Sequence, residues 1–385
     1  MSASVSEIQA VHEELVGWLN EAAYPLWSSQ GVDLRHGGFH ECLDLDGVPM
    51  AIPRRARVQP RQVYAFAQAP RMGWRGDAGS VAAHGLEYFL TRFRRPDSLF
   101  RAVVMPDGTA VDEAPVLYDQ AFALLGFAAG DRVVGPRFDL QGEAERLRAA
   151  ILRDFKRGDG GFVSDVRADL PLQSNPHMHL FEAMLAWSEK TGAAEWRALA
   201  DEIGELAIAR LLDPVTGVVR ENYDGDWKPA PGLAGRIVEP GHQYEWAWLL
   251  LRWGGTGSPE VVQAARRLIA VGENFGVQQG VVVMTLLDDF CVHDASARLW
   301  PQGERLKANA LAARLFGEEC YWRATVEAAK LLLRFLGTPV RGLWFDKLVE
   351  SGSGSRDFVR EAVPASSFYH VVDAIGELGV LAGRG

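Results

Sequence analysis

The stretch Gly38-Phe-His-Glu-Cys-Leu-Asp-Leu-Asp-Gly47 is the first of six similar stretches that recur along the chain. Most begin with a glycine before a large apolar residue, and several continue into short alternating segments typical of β-hairpins. The six pairs are Gly38-Phe39, Leu99-Phe100, Gly161-Phe162, Gly217-Val218, Gly280-Val281 and Gly342-Leu343. Successive pairs are 61, 62, 56, 63 and 62 residues apart. A period of this size indicates that one supersecondary unit repeats.

Helical periodicity fills the segments between these stretches. Apolar residues recur at three- and four-residue spacing, as in Ala121-Phe-Ala-Leu-Leu-Gly-Phe-Ala-Ala129. The pattern predicts twelve helices, at 5–28, 58–73, 77–93, 115–132, 138–155, 176–191, 193–212, 239–253, 258–274, 301–316, 318–336 and 364–382. Six helical hairpins predict an all-α fold, an (α/α)6 barrel with short β-hairpins in the loops at one end. An irregular α-superhelix is the alternative.

Composition limits the classes of protein to which the chain can belong. The 385 residues are 48% hydrophobic and carry a net charge of −10, which argues against nucleic-acid partners and against an anionic membrane surface. We expect Cys42, Cys291 and Cys320 to be reduced thiols, and we find neither a signal peptide nor an apolar stretch long enough to span a bilayer. The expectation is a cytoplasmic protein, monomer or homodimer. No linker composition interrupts the chain, so residues 1–385 are expected to form one catalytic domain.

Two short segments each place a histidine three residues before a glutamate. They read Asn175-Pro-His-Met-His-Leu-Phe-Glu182 and Glu239-Pro-Gly-His-Gln-Tyr-Glu245, and give the pairs His179–Glu182 and His242–Glu245. On a helix this spacing puts both side chains on one face, one turn apart. The proline near each predicted helix start places the pairs at the mouth of whatever the helices enclose. Imidazole beside carboxylate suits proton transfer near neutral pH, so the pairs predict proton chemistry.

Metal and cofactor chemistry are not predicted. On a helix His177 points nearly opposite to His179, so a His-x-His metal site would need a strand instead. The di-iron signature needs Glu-x-x-His, the reverse of the order present here. The sequence also lacks a Walker loop, a dinucleotide-binding glycine motif, a Gly-x-Ser-x-Gly elbow and a zincin motif. For His179 alone, a structural histidine bonded to a carbonyl is the alternative.

Further candidate residues lie near predicted helix starts. Arg61, in Val58-Gln-Pro-Arg-Gln-Val-Tyr64, precedes an apolar helix and could stabilise an oxyanion, with a structural salt bridge as the alternative. His370 lies on the last helix, close to where a ring would return to its first. Trp246 could stack on a sugar ring or fill the core. Polar or aromatic side chains at comparable positions are Tyr118, Asp119, Trp300 and Glu304.

These motifs resemble the N-acylglucosamine 2-epimerase superfamily, which includes cellobiose 2-epimerases, sulfoquinovose isomerases and D-mannose isomerases. The matching segments are Gly37-Gly38-Phe39, Gln59 to Tyr64, Tyr118 to Phe122, Asn175 to Glu182, Glu239 to Trp246, Trp300 to Glu304 and Tyr369-His370. The resemblance implies an (α/α)6 barrel and metal-free interconversion of sugars at C1 and C2. It places His179, His242, His370 and Arg61 at essential positions, with Glu245 close by.

The resemblance also implies roles for these residues. His370 would be the base at C2, and His242 the acid/base of ring opening or the partner on the opposite face of the sugar. His179 and Glu245 would assist proton transfer, and Arg61 would stabilise the enediolate. The substrate-binding residues would be Tyr118, Asp119, Asn175, Glu182, Trp300, Glu304 and Trp246.

The stretch from Trp300 to Glu304 looks most like the mannose isomerase branch, so we expect conversion of unphosphorylated D-mannose to D-fructose. A sugar 2-epimerase is the first alternative. An (α/α)6 glycoside hydrolase using Asp119 and Glu245 is a more distant one, and a non-catalytic carbohydrate-binding protein is another.

Overall fold

The computed structural model describes residues 2–352 and 354–383. Its α-helices are α1 Ser2–Trp18, α2 Tyr24–Ser29, α3 Val58–Gln68, α4 Ala78–Tyr88, α5 Leu117–Gly130, α6 Leu140–Asp154, α7 Ser174–Thr191, α8 Ala194–Leu206, α9 Pro240–Gly254, α10 Pro259–Val271, α11 Leu299–Phe316, α12 Glu319–Phe335 and α13 Phe368–Leu381. A π-helical turn, Leu19–Ala23, joins α1 to α2 into one continuous rod. Each of the twelve predicted helices therefore has a counterpart in the described chain.

The helix ends differ from the prediction for local reasons. Helices α4, α8 and α10 each continue into a five-residue π-helical turn, a segment that the sequence predicts as α-helix. Helix α3 stops at Gln68, two residues before Pro70, whose ring nitrogen carries no N–H to continue the helical hydrogen bonds. Helix α13 begins at Phe368 rather than 364, since Val363–Pro364 pairs as a strand.

Six helices contact one another in succession. Helix α3 packs on α5, α5 on α7, α7 on α9, α9 on α11, α11 on α13, and α13 returns to α3. These six, called the inner helices below, are buried on most of their surface: in α5 every residue except Tyr118 is buried. The other helices pack outside them, α4 on α3, α6 on α5, α8 on α7, α10 on α9 and α12 on α11. Outer helices such as α12 bury one face only, as expected for an amphipathic surface helix.

Short antiparallel sheets lie directly before the inner helices. The strands are β1 Cys42–Leu43, β2 Arg54–Arg55, β3 Val103–Val104, β4 Ala110–Asp112, β5 Leu172–Gln173, β6 Asn222–Tyr223, β7 Ile237–Val238, β8 Val277–Gln278, β9 Val281–Val282, β10 Thr285–Leu287, β11 Val292–Asp294, β12 Ala297–Arg298, β13 Lys347–Glu350, β14 Arg356–Phe358 and β15 Val363–Pro364. Among the described residues the sheets are β1-β15, β2-β3-β4, β5-β6, β7-β10-β11, β8-β9 and β12-β13-β14. The first strand pairs with the last, Cys42 opposite Pro364.

A repeated hydrogen-bond clamp explains the sixty-residue period. A glutamine near the start of an inner helix accepts from the backbone N–H of the preceding apolar cluster and donates to the carbonyl of the same residue. The clamps join Gln59 to Phe39, Gln120 to Phe100, Gln243 to Val219 and Gln302 to Val282, with all eight contacts between 2.8 and 2.9 Å. In the third unit His177 takes this place and accepts from Phe162 N–H at 3.0 Å. His177 is therefore structural.

One continuous apolar core runs between the inner and outer helices, from Ile8 to Ala382. Each described helix is too short or too polar to cross a membrane.

Candidate active site

A cavity of about 260 Å³ opens at the N-terminal ends of the inner helices. Eight predicted site residues line it, and together they come from all six inner helices: Arg61, Tyr118, Asn175, His179, His242, Glu245, Trp300 and His370. A larger cavity of about 770 Å³ is lined by α1 and by residues farther along α3, α5, α7, α9 and α13. We place the candidate site in the smaller cavity, because that cavity holds three histidines together with Arg61.

His370 is held from behind by a buried carboxylate. Its Nδ1 lies 2.7 Å from Glu304 Oε1, and both side chains are buried. Burial lowers the pKa of His370 well below its usual value, and the positive charges of Arg61 and Lys307 lower it further. The imidazole is therefore neutral near pH 7. With Nδ1–H donating to Glu304, Nε2 carries the lone pair of a base.

His242 has a similar partner but the opposite charge state. Its Nδ1 lies 2.9 Å from Glu221 Oε2 and 3.6 Å from Glu239 Oε2. Burial alone would lower the pKa of His242, but the two carboxylates outweigh it and raise the pKa to about 10. His242 is therefore an imidazolium at neutral pH and can donate a proton. Its ring packs 5.0 Å from that of Trp300, centroid to centroid.

His179 lies between the carboxylates of both predicted pairs. Its Nδ1 is 3.5 Å from Glu182 Oε2 and 3.6 Å from Glu245 Oε1. Burial lowers the pKa of His179 well below its usual value, with Arg61 adding to the effect. Burial raises the pKa of Glu245 well above its usual value, and the nearby charge of Glu304 raises it further. Burial therefore favours the protonated form of Glu245, and neither of its oxygens is hydrogen-bonded to a described residue.

Arg61 is a buried cation without an acidic partner. Its Nη2 donates to Tyr118 Oη at 2.6 Å, and its Nη1 lies 3.4 Å from the Ser366 carbonyl. The guanidinium carbon lies 3.9 Å from the centre of the Phe122 ring. Among the described carboxylates none forms an ion pair with Arg61, and its Nε has no partner there. The structural salt bridge considered for this residue is absent from the described part of the chain, so the charge is available to an anionic group in the cavity.

Three further arginines stand around the same cavity, and each is paired with a carboxylate. Arg55 bonds Glu41, Arg57 Nε lies 2.9 Å from Asp119 Oδ1, and Arg298 Nε lies 2.9 Å from Asp346 Oδ2. The three carboxylates are buried. The positive charge of these three arginines, called the rim of the cavity below, is therefore largely compensated.

Four predicted substrate-binding residues do not line this cavity. Glu182 and Glu304 lie behind it and support other side chains: Glu182 accepts from Tyr369 Oη at 2.5 Å, and Glu304 holds His370. Asp119 is fully buried against Arg57. Trp246 is fully buried and packs near Phe181 in the core, so it is placed to hold α9 rather than to stack on a ligand.

Several residues around the cavity were not predicted. Glu221 and Met284 come from segments outside every predicted helix, and Glu221 reaches His242 only through the fold. Ser367 lies at the start of the helix predicted at 364–382 but was not predicted to line a site. Glu239 begins the second of the two histidine–glutamate segments but was not predicted to act in the site. Its position three residues before His242 on a predicted helix could have indicated their contact.

Two groups of three side chains bring potential metal ligands within 4.8 Å of one another: His179, Glu182 and Glu245, and Glu221, Glu239 and His242. In both groups the carboxylates surround the imidazole Nδ1 at 2.9–3.6 Å. At these distances the carboxylates can orient the imidazole and accept or return its proton, which is the role proposed for both groups below.

Comparison with known proteins gives the family. The model of the N-acylglucosamine 2-epimerase (GlcNAc 2-epimerase) family matches residues 37–374, a range that contains every residue lining the cavity. The chain belongs to this family. Its relatives include a mannose-6-phosphate isomerase of Rhizobium meliloti (strain 1021), 49% identical over 95% of this chain and 96% of that protein. A D-mannose isomerase of Thermobifida fusca is 27% identical over 63% and 65% of the two chains.

The fold of the family is also found in a solved structure of cellobiose 2-epimerase from Spirochaeta thermophila DSM 6192. It superposes with a TM-score of 0.85 at 20% sequence identity, over 98% of this chain and 97% of that one. Membership of the family makes this protein an isomerase or epimerase.

Proposed function

We propose that the protein is a metal-independent aldose–ketose isomerase that converts D-mannose to D-fructose. The observation that carries the proposal is that His242 and His370 both face one cavity and both pack near Trp300, while two carboxylates surround His242 and one holds His370. The Trp300 ring lies 5.0 Å from that of His242 and 5.8 Å from that of His370, centroid to centroid. A protonated and a neutral imidazole facing one small cavity supply an acid and a base at the same pH.

The first step is ring opening. The imidazolium of His242 gives its proton to the ring oxygen as the C1–O5 bond breaks, and the hydroxyl on C1 passes its proton to His179 as the C1=O bond forms. Closure of the product ring reverses both proton transfers. Trp300 offers an apolar surface beside both histidines, which suits the face of a sugar.

The second step is proton transfer between carbons. His370 Nε2 takes the C2 proton, the C2–H electron pair forms the C1=C2 bond, and the carbonyl π electrons move to O1. The unpaired guanidinium of Arg61 stabilises this enediolate. His370 then returns the proton to C1, while O1 gains a proton and O2 loses one. In its protonated form, which burial favours, Glu245 gives its proton to O1 and takes the one from O2, and His179 orients it.

The rim favours an uncharged sugar. Arg55, Arg57 and Arg298 each lie against a carboxylate, so the rim holds little uncompensated positive charge for a phosphate. We therefore prefer free mannose, although the Rhizobium meliloti relative is named a mannose-6-phosphate isomerase.

The fold that we propose for this activity is a closed (α/α)6 barrel formed by one catalytic domain. It is supported by the contact of α13 with α3 and by the pairing of β1 with β15, which join the two ends of the chain. Such a barrel would expose its cavity at one end only.

A 2-epimerase is the second candidate, and the charge state of His242 favours it. An imidazolium opposite a neutral His370 could return a proton to C2 from the other face, giving glucose from mannose. The hydrolase alternative that uses Asp119 and Glu245 as its two carboxylates has less support, because Asp119 does not line this cavity.

Product identity tests the proposal. Purified, chelator-treated protein is incubated separately with D-mannose and mannose 6-phosphate, and the products are identified by NMR. Fructose from mannose, with little turnover of the phosphate, is expected. Glucose as the first product would establish the epimerase, preferred turnover of the phosphate would overturn the uncharged substrate, and loss of activity after chelation would overturn metal independence.

A further inference from the structure

We propose that Lys307 is a positioning residue that keeps Glu304 ionised, so that His370 stays a neutral base with its proton on Nδ1. This inference rests on the proposed function, because it assigns His370 the role of base. Lys307 is fully buried, and its Nζ lies 2.9 Å from Glu304 Oε2 and 2.7 Å from Asp373 Oδ2. It does not line the cavity and therefore acts through Glu304.

The contacts form one buried chain across three inner helices. His370 Nδ1 bonds Glu304 Oε1, the other oxygen of Glu304 meets Lys307, and Lys307 meets Asp373. Tyr64 donates its hydroxyl proton to Asp373 Oδ1 at 2.6 Å. His370 lines the smaller cavity, whereas Asp373 and Tyr64 line the larger one, so these contacts run from one cavity to the other.

The charges around Glu304 explain why it needs a cation. Burial raises the pKa of Glu304, whereas the ammonium of Lys307 lowers it. Burial would lower the pKa of Lys307, but the carboxylates of Asp373 and Glu304 outweigh it and raise the pKa well above its usual value. The groups that face this cluster are Arg61 and Tyr64 on α3, His179 and Glu182 on α7, His242 and Glu245 on α9, and Tyr369 and Asp373 on α13.

Removing Lys307 would leave Glu304 beside the carboxylate of Asp373 without its ion-pair partner. A buried carboxylate among like charges takes up a proton, as in other buried carboxylate pairs. Protonated Glu304 no longer favours a hydrogen bond from His370 Nδ1–H, and the preferred tautomer of the base is lost. Deprotonation of Glu304 then requires a higher pH than in the native protein.

The test compares Lys307→Met with Arg305→Met. Arg305 lies on the same helix, is 2% exposed and bonds Glu273 at 2.8 and 2.9 Å, so its removal also breaks a buried ion pair. Both variants are expected to lower Tm. Lys307→Met alone is expected to lower kcat about 10- to 100-fold at pH 7, and to move the acid limb of kcat/KM to higher pH. Equal pH profiles for Lys307→Met and the native enzyme would overturn the inference.

Asp373→Asn provides a second variant should Lys307→Met fail to fold. It removes a like charge and leaves the Lys307–Glu304 pair, so the acid limb is expected to move to lower pH. An unchanged or raised acid limb would contradict the proposed electrostatic role.

Histidine NMR separates this inference from the proposed function. In protein with ¹⁵N-labelled histidine, His370 is assigned by its loss in His370→Ala. Native His370 is expected to be protonated at Nδ1 only, and Lys307→Met to change that pattern. If the native enzyme turns over no sugar, the proposed function fails, whereas native activity with an unchanged His370 spectrum in Lys307→Met defeats only the role of Lys307.

Discussion

At the scale of single residues, the surroundings of His242 and His370 make the first an acid and the second a base. Each bonds a buried carboxylate through Nδ1, at 2.9 Å for His242 and 2.7 Å for His370. The difference lies in the remaining charges. A second carboxylate, Glu239, stands near His242, whereas cations lower the pKa of His370. The same hydrogen bond therefore supports opposite protonation states.

The first prediction concerns Glu221→Gln. Native kcat/KM should fall as pH rises through about 10, where His242 loses its proton. The glutamine cannot stabilise the imidazolium, so this alkaline limb should move to lower pH. The stability of the folded protein should change in the same direction. The raised pKa of His242 stabilises the folded state fully below about pH 6.5, the unfolded pKa, and this contribution is lost as the pH rises toward 10.

The measurements are pH–rate profiles and Tm at pH 7 and pH 10. Glu239→Gln serves as a graded comparison, because Glu239 lies farther from Nδ1, at 3.6 Å, and should shift the limb less. An alkaline limb that stays in place in Glu221→Gln would show that His242 is not the acid.

The second prediction concerns Arg61→Met. Loss of the cation that faces the enediolate should lower kcat about 10²- to 10³-fold. Stability should be retained or increased, because Arg61 is buried without an acidic partner among the described residues and its charge is costly there.

Arg57→Met is the matched control for Arg61→Met. Arg57 pairs with the fully buried Asp119, so this variant should lower Tm. Steady-state kinetics and thermal melts decide the matter. An Arg61→Met protein that loses much stability but little kcat would identify Arg61 as structural.

At the scale of elements, the clamps between inner helices and the preceding loops determine the architecture. Gln120 accepts from the N–H of Phe100 and donates to its carbonyl, both at 2.9 Å, in a buried environment. Gln120→Leu leaves two buried backbone groups without partners, at about 1–3 kcal/mol each. We expect a loss of about 2–5 kcal/mol in the free energy of unfolding, measured by denaturant titration.

Gln141→Leu is the control for that measurement. Gln141 lies exposed on the outer helix α6, and its change should stay within about 0.5 kcal/mol. Equal effects of the two substitutions would contradict a special role for the clamp.

The elements themselves were largely predictable from the sequence, because helical periodicity is local. The segment 117–130 reads as a helix from its own residues, and the spacing of the glycine clusters indicates the repeat. The clamps were not predicted, since each joins residues about twenty positions apart with no local pattern. His177 was correctly separated from His179 by helical geometry, but its structural partner, the Phe162 N–H, was not foreseen.

At the scale of the whole molecule, the fold creates the site by joining distant segments. The sequence could indicate that His179, His242 and His370 carry chemistry, and the structure brings them to one cavity. It could not indicate that Glu304 supports His370, 66 positions away, or that Lys307 lies behind it. Trp246 was predicted to bind the substrate, but the structure buries it in the core. An aromatic residue near a histidine has the same local sequence pattern in a core and in a binding site.

The most direct test of the central claim is a single incubation of D-mannose with the enzyme in D2O, followed by NMR of both sugars. Transfer through His370 predicts fructose with deuterium at C1, to the extent that the base exchanges with solvent. His370→Ala should lower the rate by about 10²- to 10⁴-fold while retaining the native Tm. Fructose or C2 exchange at an undiminished rate in His370→Ala would contradict the proposed base, and glucose deuterated at C2 as the first product would contradict the isomerase.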